Sequence, residues 1–243
     1  MNLEKLPIVA SVKRSTPFRV IRRPTQLATT DIELKSKSFH SLRFFRPLEF
    51  RLMSSESFMT ADQFTARRHE LPDGGRWHEL HEGQTVMLEA PDDAHGTAVL
   101  NIAKALARWF QNNVEQKVGY ACADLGLKVS DNTVYFPALC FFDQGAQFAE
   151  SDHLVAQSCP RLVIDVASSV DRRREMRLRT LAYQKLGVET IWVPDPTRKE
   201  ILILQKGGDT LCLGERQTIQ GNEILPKFEL RVPDVFAQPE WWK

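Results

Sequence analysis

The chain has 243 residues, of which 42% are hydrophobic and 26% are charged, as in an ordinary globular protein. No stretch reaches the roughly 18 uninterrupted apolar residues that a membrane helix needs, and the N-terminus lacks the apolar region of a signal peptide. Length and composition therefore exclude an integral membrane protein and predict a cytoplasmic protein with no membrane partner.

The first 52 residues differ from the rest in charge. They contain 11 Lys and Arg against 4 Asp and Glu, so this segment carries +7 and the remainder carries −6. Because the segment is rich in Ser, Thr, Arg and Pro and has no sustained helical or alternating pattern, we expect a basic, disordered extension over 1–52 and one folded domain over 53–243. A nucleic-acid arm, an organellar transit peptide and translated upstream sequence all remain open for the extension.

The folded part opens with a helix and a strand pair. Thr60, with Gln63 three residues later, has the form of a capping box and predicts a short helix that ends near His69. After the turn sequence DGG, the stretch RWHELHEGQTVMLEA predicts two strands that turn at Glu82 and Gly83.

The next elements alternate between strands and long helices. The strongest helix pattern runs from about Asp93 to Val114, where apolar residues recur at the spacing of one buried face. VGYACADLGLKV, TVYFPALCFF, RLVIDVAS and ETIWVPD predict strands, DRRREMRLRTLAYQKL predicts a helix, and EILILQKGGDTLCLG predicts a hairpin that turns at Gly207 and Gly208. The expected fold class is α/β or α+β, with a central mixed β-sheet flanked by helices.

The cysteines give no metal or disulfide framework. They are scattered without a C-x-x-C pair, and three of them lie inside apolar runs, so we expect all four to be buried, reduced thiols. They are Cys122, Cys140, Cys159 and Cys212.

One carboxylate, Asp165, stands in the middle of the apolar strand RLVIDVASS. A buried carboxylate costs several kcal/mol unless it is paired, hydrogen-bonded or bound to a metal. From the residues alone, Asp165 is neutralised by Arg179, caps the following helix or binds a metal ion. Arg179 has a competing interpretation, because Glu175 lies four residues earlier and would make a favourable surface pair on a helix.

Six segments together resemble a known family. They are GRWHELHEGQ, PDDAHG before the long helix, TVYFPALCFF, PRLVIDVASS, AYQKLGVETIWVPDP and ILPKFELRVPDVF, in the order and nearly the spacing of the Uma2 family, also called DUF820. The resemblance spans roughly Phe58 to Phe236. It implies a restriction-endonuclease-like fold of the PD-(D/E)xK type, in which carboxylates at the ends of adjacent strands hold a divalent ion and a lysine helps to position the attacking water.

The resemblance implies metal-dependent DNA cleavage with Mg²⁺ or Mn²⁺, because a metal ion held by carboxylates neutralises the developing oxyanion and supplies hydroxide near neutral pH. The motif is altered in this chain, however. Ala138 replaces the usual aspartate ligand after Pro137, and Asp165 replaces a glutamate, whereas Ser168 matches the family serine. Arg179 replaces the lysine, and a guanidinium stays protonated and cannot shuttle a proton.

Upstream positions complete the expected site. Glu79 matches the glutamate of the family's Tyr-Glu-Leu segment, and His95 matches a histidine before the long helix, although a lone histidine is more often structural. Alternation along a strand places Ala138 on the face of Cys140 and Phe142, which are not ligands for a hard cation. The expected catalytic residues are Asp165, Arg179, Glu79 and His95, and the expected metal ligands are Asp165, Glu79 and Asp124.

Two classes of function follow. The first is a metal-dependent DNA endonuclease, and the second is a catalytically inactive nuclease-fold protein that binds nucleic acid or protein; a homodimer is compatible with both. A basic run on the predicted helix either tracks a phosphate backbone or forms a solvated face. The run consists of Arg172, Arg173, Arg174, Arg177 and Arg179.

Overall fold

The structure is a computed structural model that describes residues 58–113, 119–145 and 148–239. The predicted extension over 1–52 lies outside these residues, as does the predicted end of the long helix at Val114. Within the described ranges, no helix combines the length and the apolar character that a membrane crossing requires.

Four α-helices and twelve strands make up the described part of the chain. In chain order they are α1 (Ala61–Arg67), β1 (His78–His81), β2 (Gln84–Met87), α2 (Asp93–Asn112), β3 (Tyr120–Ala123), β4 (Leu127–Ser130), β5 (Thr133–Tyr135), β6 (Leu139–Phe142), β7 (Leu162–Ile164), α3 (Val170–Leu186), β8 (Thr190–Asp195), β9 (Glu200–Gln205), β10 (Leu211–Leu213), β11 (Thr218–Gln220), β12 (Glu229–Arg231) and α4 (Val232–Val235).

A central mixed sheet confirms the predicted fold class. It has six strands in the order β10-β9-β8-β7-β6-β3, in which β7 and β8 are parallel and the other neighbours are antiparallel. A second, antiparallel sheet has the order β2-β1-β5-β4, and β11 pairs with β12. The predicted hairpins β1-β2 and β9-β10 are both present.

The central sheet is buried on both faces, which explains why β7 is almost wholly apolar. Leu162 and Ile164 pack into one core with the apolar face of α2. Val163 faces the opposite core, which contains Met176 and Tyr183 of α3. Alternation from Val163 therefore carries the side chain of Asp165 to the side of α3.

Two of the predicted long strands are each broken in two. VGYACADLGLKV divides into β3 and β4 around Asp124, whose φ of +54° is left-handed, and TVYFPALCFF divides into β5 and β6 around Pro137. Sheet pairing resumes only at Leu139, because proline has no N–H to donate. Ala138 thus lies before β6 and packs against the core that contains Leu139, so the prediction that it shares a face with Cys140 and Phe142 is wrong.

The cysteine prediction needs a correction at two positions. Cys122 and Cys140 are buried as expected, but Cys159 and Cys212 are exposed, and all four are free thiols. Cys212 lies on β10, an edge strand of the central sheet whose residues are exposed or half-buried. Cys159 lies in the loop before β7 and not in a strand.

The predicted capping box of α1 is present, and it allows a stability test. Gln63 N donates to Thr60 Oγ1 at 3.2 Å, and Thr60 N donates to Gln63 Oε1 at 2.9 Å. Thr60→Ala is therefore expected to lower the free energy of unfolding in urea by about 1 kcal/mol. Thr210→Ala is the control, because Thr210 is exposed in the β9-β10 hairpin, and an equal effect of both changes would contradict the capping role.

Candidate functional site

Asp165 lies directly after β7 and is fixed by the backbone. Its N–H donates to Trp192 O at 3.0 Å, and Ala167 N donates to Pro194 O at 2.9 Å, so the chain continues alongside β8 beyond the end of the strand. The Asp165 side chain is 0% exposed, as the sequence predicted for this strand. It must therefore find its partner inside the protein.

That partner is Arg179 of α3. Arg179 Nε donates to Asp165 Oδ2 at 2.7 Å, and Tyr183 OH, one helical turn further along α3, donates to the same oxygen at 2.8 Å. The Arg179 side chain is only 1% exposed. The expected surface pair with Glu175 is not what Arg179 forms, because Arg179 lies on the inward face of α3 with Tyr183.

Arg179 also binds Glu79 of β1, which lies 100 positions earlier in the sequence. Nη1 donates to Glu79 Oε2 at 2.5 Å, and Nη2 donates to Glu79 Oε1 at 3.1 Å, so the two groups form a bidentate pair. One guanidinium thus pairs with two buried carboxylates, one on β1 and one directly after β7. The structure brings together three of the predicted site residues, namely Glu79, Asp165 and Arg179.

Glu79 has no remaining lone pair to offer. Oε1 also accepts a hydrogen bond from Phe136 N at 2.7 Å, and Oε2 lies 2.8 Å from His81 Nε2. Burial alone raises the pKa of Glu79, but the charge of Arg179 and the hydrogen bonds from His81, Arg179 and Phe136 outweigh it, and the pKa falls to about 2. Glu79 is therefore ionised at neutral pH.

Two tyrosine rings, those of Tyr135 and Tyr183, lie beside the Arg179 guanidinium. The Arg179 Cζ lies 4.5 Å from the centroid of the Tyr135 ring, and the rings of Tyr135 and Tyr183 meet edge to face at 6.1 Å. Burial lowers the pKa of Arg179, but the charges of Asp165 and Glu79 reverse this effect and raise it well above its ordinary value. Arg179 is consequently a permanent cation in this site.

A second buried arginine, Arg68, stands near Glu79. Its guanidinium stacks 3.9 Å above the Phe136 ring, and burial lowers its pKa while the charges of Asp124 and Glu79 raise it. Arg68 Nε is fully enclosed and has no hydrogen-bond partner within the described ranges. No pattern in the sequence indicated that Arg68 is buried near Glu79, because Arg68 follows α1 in a 3₁₀ turn.

Asp124, the third of the expected metal ligands, lies at the protein surface. It is exposed at the turn after β3, and its negative charge raises the pKa of Arg68. Among the residues that the structure describes, no group of three or more His, Cys, Asp or Glu side chains has a spacing that could hold a metal ion. The metal-ligand role expected for Asp124 stays a prediction.

His95 lies beside the carboxylate site and contacts the family serine. His95 Nδ1 is 2.9 Å from Ser168 Oγ, in hydrogen-bond geometry, and His95 N donates to Asp92 Oδ1, the N-cap of α2, at 2.7 Å. Burial and the charge of Arg172 lower the pKa of His95 to about 4, against the opposing charges of Asp165 and Asp92. His95 is therefore neutral at pH 7 and does not hold a proton as a general acid would.

The donor set does not fit the divalent ion that the fold implies. Such an ion takes about six oxygen ligands, and Ala138 supplies none at the position of the usual aspartate. Both oxygens of Glu79 are fully used, and Asp165 Oδ1, which has no partner among the described residues, is entirely enclosed. A guanidinium with three directed hydrogen bonds satisfies this arrangement instead.

A family model described as "Putative restriction endonuclease" matches residues 64–233, which is most of the chain. The chain belongs to the Uma2 family. A solved structure described as a putative nuclease of DUF820, from Anabaena variabilis, is similar over 73% of this chain and 97% of its own length, with a TM-score of 0.60 and 16% identity. This likeness confirms the nuclease fold. No curated protein matches the sequence.

Several residues of this Uma2 site were not assigned from the sequence. For Tyr183 a signal existed, because its spacing of four from Arg179 places both residues on one helical face. Tyr135, His81 and Arg68 carry no local signal, because their contacts depend on how the second sheet packs against α3.

Proposed function

We propose that this Uma2 protein keeps the nuclease fold without hydrolysing phosphodiester bonds, and that it acts as a nucleic-acid-binding protein. In this proposal Arg179 has replaced the positive charge of the metal ion, and the catalytic motif is degraded. The single observation that carries the proposal is that Arg179 bonds to both Glu79 and Asp165 inside the protein.

The charge balance of the site supports this interpretation. Two carboxylates would attract a divalent cation, but the Arg179 guanidinium supplies a fixed charge at the same place and cannot be removed by deprotonation. A metal ion would have to displace three hydrogen bonds and leave a second cation unpaired in a buried site. The scissile phosphate of a DNA substrate would need the same enclosed space.

The surface of α3 supports nucleic-acid binding, since the basic run has divided roles. Arg172 and Arg179 are buried, and Arg173 Nη1 donates to Ser168 O and to Thr197 Oγ1. Arg174 and Arg177 are exposed and can meet a phosphate backbone, although Arg174 also lies 3.4 Å from Asp171. The run is thus divided between buried and exposed arginines, and the exposed ones are the candidates for contacts with a phosphate backbone.

A second candidate function is the metal-dependent DNA endonuclease that the family resemblance implies, with Mg²⁺ or Mn²⁺ bound by Asp165, Glu79 and Asp124. The unpartnered Oδ1 of Asp165 favours it, because a buried carboxylate oxygen without a partner is costly and a cation would satisfy it. This candidate requires Arg179 to leave Glu79.

The experiment that separates the two candidates is cleavage of supercoiled plasmid by the full-length protein with Mg²⁺ or Mn²⁺. We expect no nicking by the wild type, and a gel shift of the plasmid that weakens in Arg174→Gln/Arg177→Gln and at higher salt. The combined change Ala138→Asp, Asp165→Glu and Arg179→Lys restores the family residues and is expected to introduce metal-dependent nicking.

The controls use the same preparation. Nicking by the wild type that disappears in Asp165→Ala would reject the proposal and establish the endonuclease. A wild type that neither nicks nor shifts DNA would reject nucleic-acid binding while leaving the loss of catalysis in place. Thermal melting of each variant shows whether a lack of activity reflects unfolding.

A further inference from the structure

A third buried arginine, Arg172, has no counter-charge of its own among the residues that the structure describes. It lies on the inward face of α3, two helical turns before Arg179, and the residue is 8% exposed. In the described part of the chain, its guanidinium forms neither an ion pair nor a hydrogen bond. Burying a cation without a partner costs free energy, and a bound anion would offset that cost just as Arg179 offsets the cost of burying Asp165.

The Arg172 side chain is buried, but its guanidinium nitrogens keep some solvent-accessible surface. The fully enclosed side-chain atoms without partners, within the described residues, belong to Arg68, Asp143, Asp165 and Trp192. The nitrogens of Arg172 and the unbonded Nε2 of His95 are not among them, so solvent reaches these atoms. Both side chains therefore border solvent.

The two side chains stand where two long helices begin. α2 has 20 residues and α3 has 17, and His95 in the first turn of α2 contacts Ser168, which directly precedes the N-cap of α3 at Ser169. Arg172 lies in the first turn of α3 and is near enough to His95 for its charge to lower the pKa of that imidazole. The N-termini of α2 and α3, which are the positive ends of the two helix dipoles, thus lie near Arg172.

The neighbouring carboxylates do not neutralise Arg172. Asp165 is paired with Arg179, Asp92 accepts the hydrogen bond of His95 N, and Asp171 lies 3.4 Å from Arg174. These groups disfavour a bulky anion but leave the Arg172 guanidinium available. A compact oxyanion that accepts two parallel N–H bonds from the guanidinium is the best match.

We propose that Arg172, His95 and the adjoining N-termini of α2 and α3 bind a phosphate group. The enclosed setting of Arg172 favours a terminal phosphate over a phosphodiester flanked by two nucleosides. Inorganic phosphate and the 5′-phosphate of a nucleic acid share this chemistry. The site does not depend on the proposed nucleic-acid binding, because free phosphate would occupy it as well.

The test is calorimetric titration of inorganic phosphate into the full-length protein in chloride buffer. We expect saturable binding by the wild type and an affinity lower by about tenfold or more in Arg172→Gln, since one charge-assisted pair is lost. Arg216→Gln, in the exposed turn between β10 and β11, is the control and is expected to bind like the wild type. No saturable binding by the wild type, or equal affinity in Arg172→Gln, overturns the proposal.

Two further measurements keep the result interpretable. Arg172→Gln is expected to melt no lower than the wild type, because it removes an unpaired buried charge. If the variant fails to fold, the wild type is titrated with phosphate and the NMR resonances of the His95 imidazole are followed. The absence of phosphate-induced shifts of these resonances overturns the proposal. Tighter binding of a 5′-phosphorylated than of an unphosphorylated oligonucleotide, lost in Arg172→Gln, identifies a nucleic-acid end as the source. DNA binding that persists without any phosphate binding overturns this inference and leaves the proposed function standing.

Discussion

Arg179→Met is expected to destabilise the protein by about 3–5 kcal/mol, measured as the free energy of unfolding in urea. Methionine fills much of the same volume but leaves Glu79 and Asp165 buried without their shared cation. The loss therefore comes from uncompensated charge and not from a cavity. A drop of this size is a large fraction of the stability of a typical domain.

The matched controls separate charge from side-chain identity. Arg177→Met changes the same residue type on the exposed side of α3 and is expected to alter stability by less than about 0.5 kcal/mol. The triple change Glu79→Gln, Asp165→Asn and Arg179→Met removes all three charges and is expected to recover part of the stability. A single Arg179→Met variant as stable as the wild type would show that the buried ion pairs do not hold the two sheets together.

A fall in pH is expected to lower the free energy of unfolding, because Glu79 becomes protonated. Its pKa in the folded state is about 2, below the ordinary value of 4.5, so its contribution to stability is complete above pH 4.5 and is lost as the pH falls towards 2. A shift of this size corresponds to about 3 kcal/mol. The measurement is the free energy of unfolding in urea between pH 6 and pH 2.

Glu79→Gln isolates this contribution. Glutamine cannot titrate, so the variant is expected to start less stable at pH 6 and to lose less stability than the wild type between pH 4.5 and pH 2. Glu223→Gln is the control, because Glu223 is exposed, and its pH profile is expected to follow that of the wild type. Parallel profiles for the wild type and Glu79→Gln would reject the role of Arg179 in holding Glu79 ionised.

Much of the site was within reach of the sequence. Asp165 in an apolar strand required a partner, and Arg179 was one of the candidates for it. The helical spacing from Arg172 to Met176, Arg179 and Tyr183 also places these residues on one face, which would have separated the buried arginines from exposed Arg174 and Arg177. That signal was present but was obscured by the uniform basic character of the helix.

Other features depended on breaks in local regularity. The sequence predicted one strand through Pro137 and Ala138, whereas the structure ends β5 at Tyr135 and begins β6 at Leu139. Once the strand is interrupted, alternation no longer fixes which face a residue occupies. This is why the face predicted for Ala138 was wrong.

The sequence by itself determined the order of helices and strands, the mixed central sheet, the capping box of α1, the Uma2 family and the need for a charge beside Asp165. These follow from periodicity, turn residues and motif spacing, which are local properties of the chain. Only the tertiary structure decided that one guanidinium serves both Asp165 and Glu79, that Asp124 is exposed, and that Arg172 is buried without an ion pair among the described residues. Those outcomes depend on how the second sheet and α2 pack against α3, and packing between distant segments has no local signature.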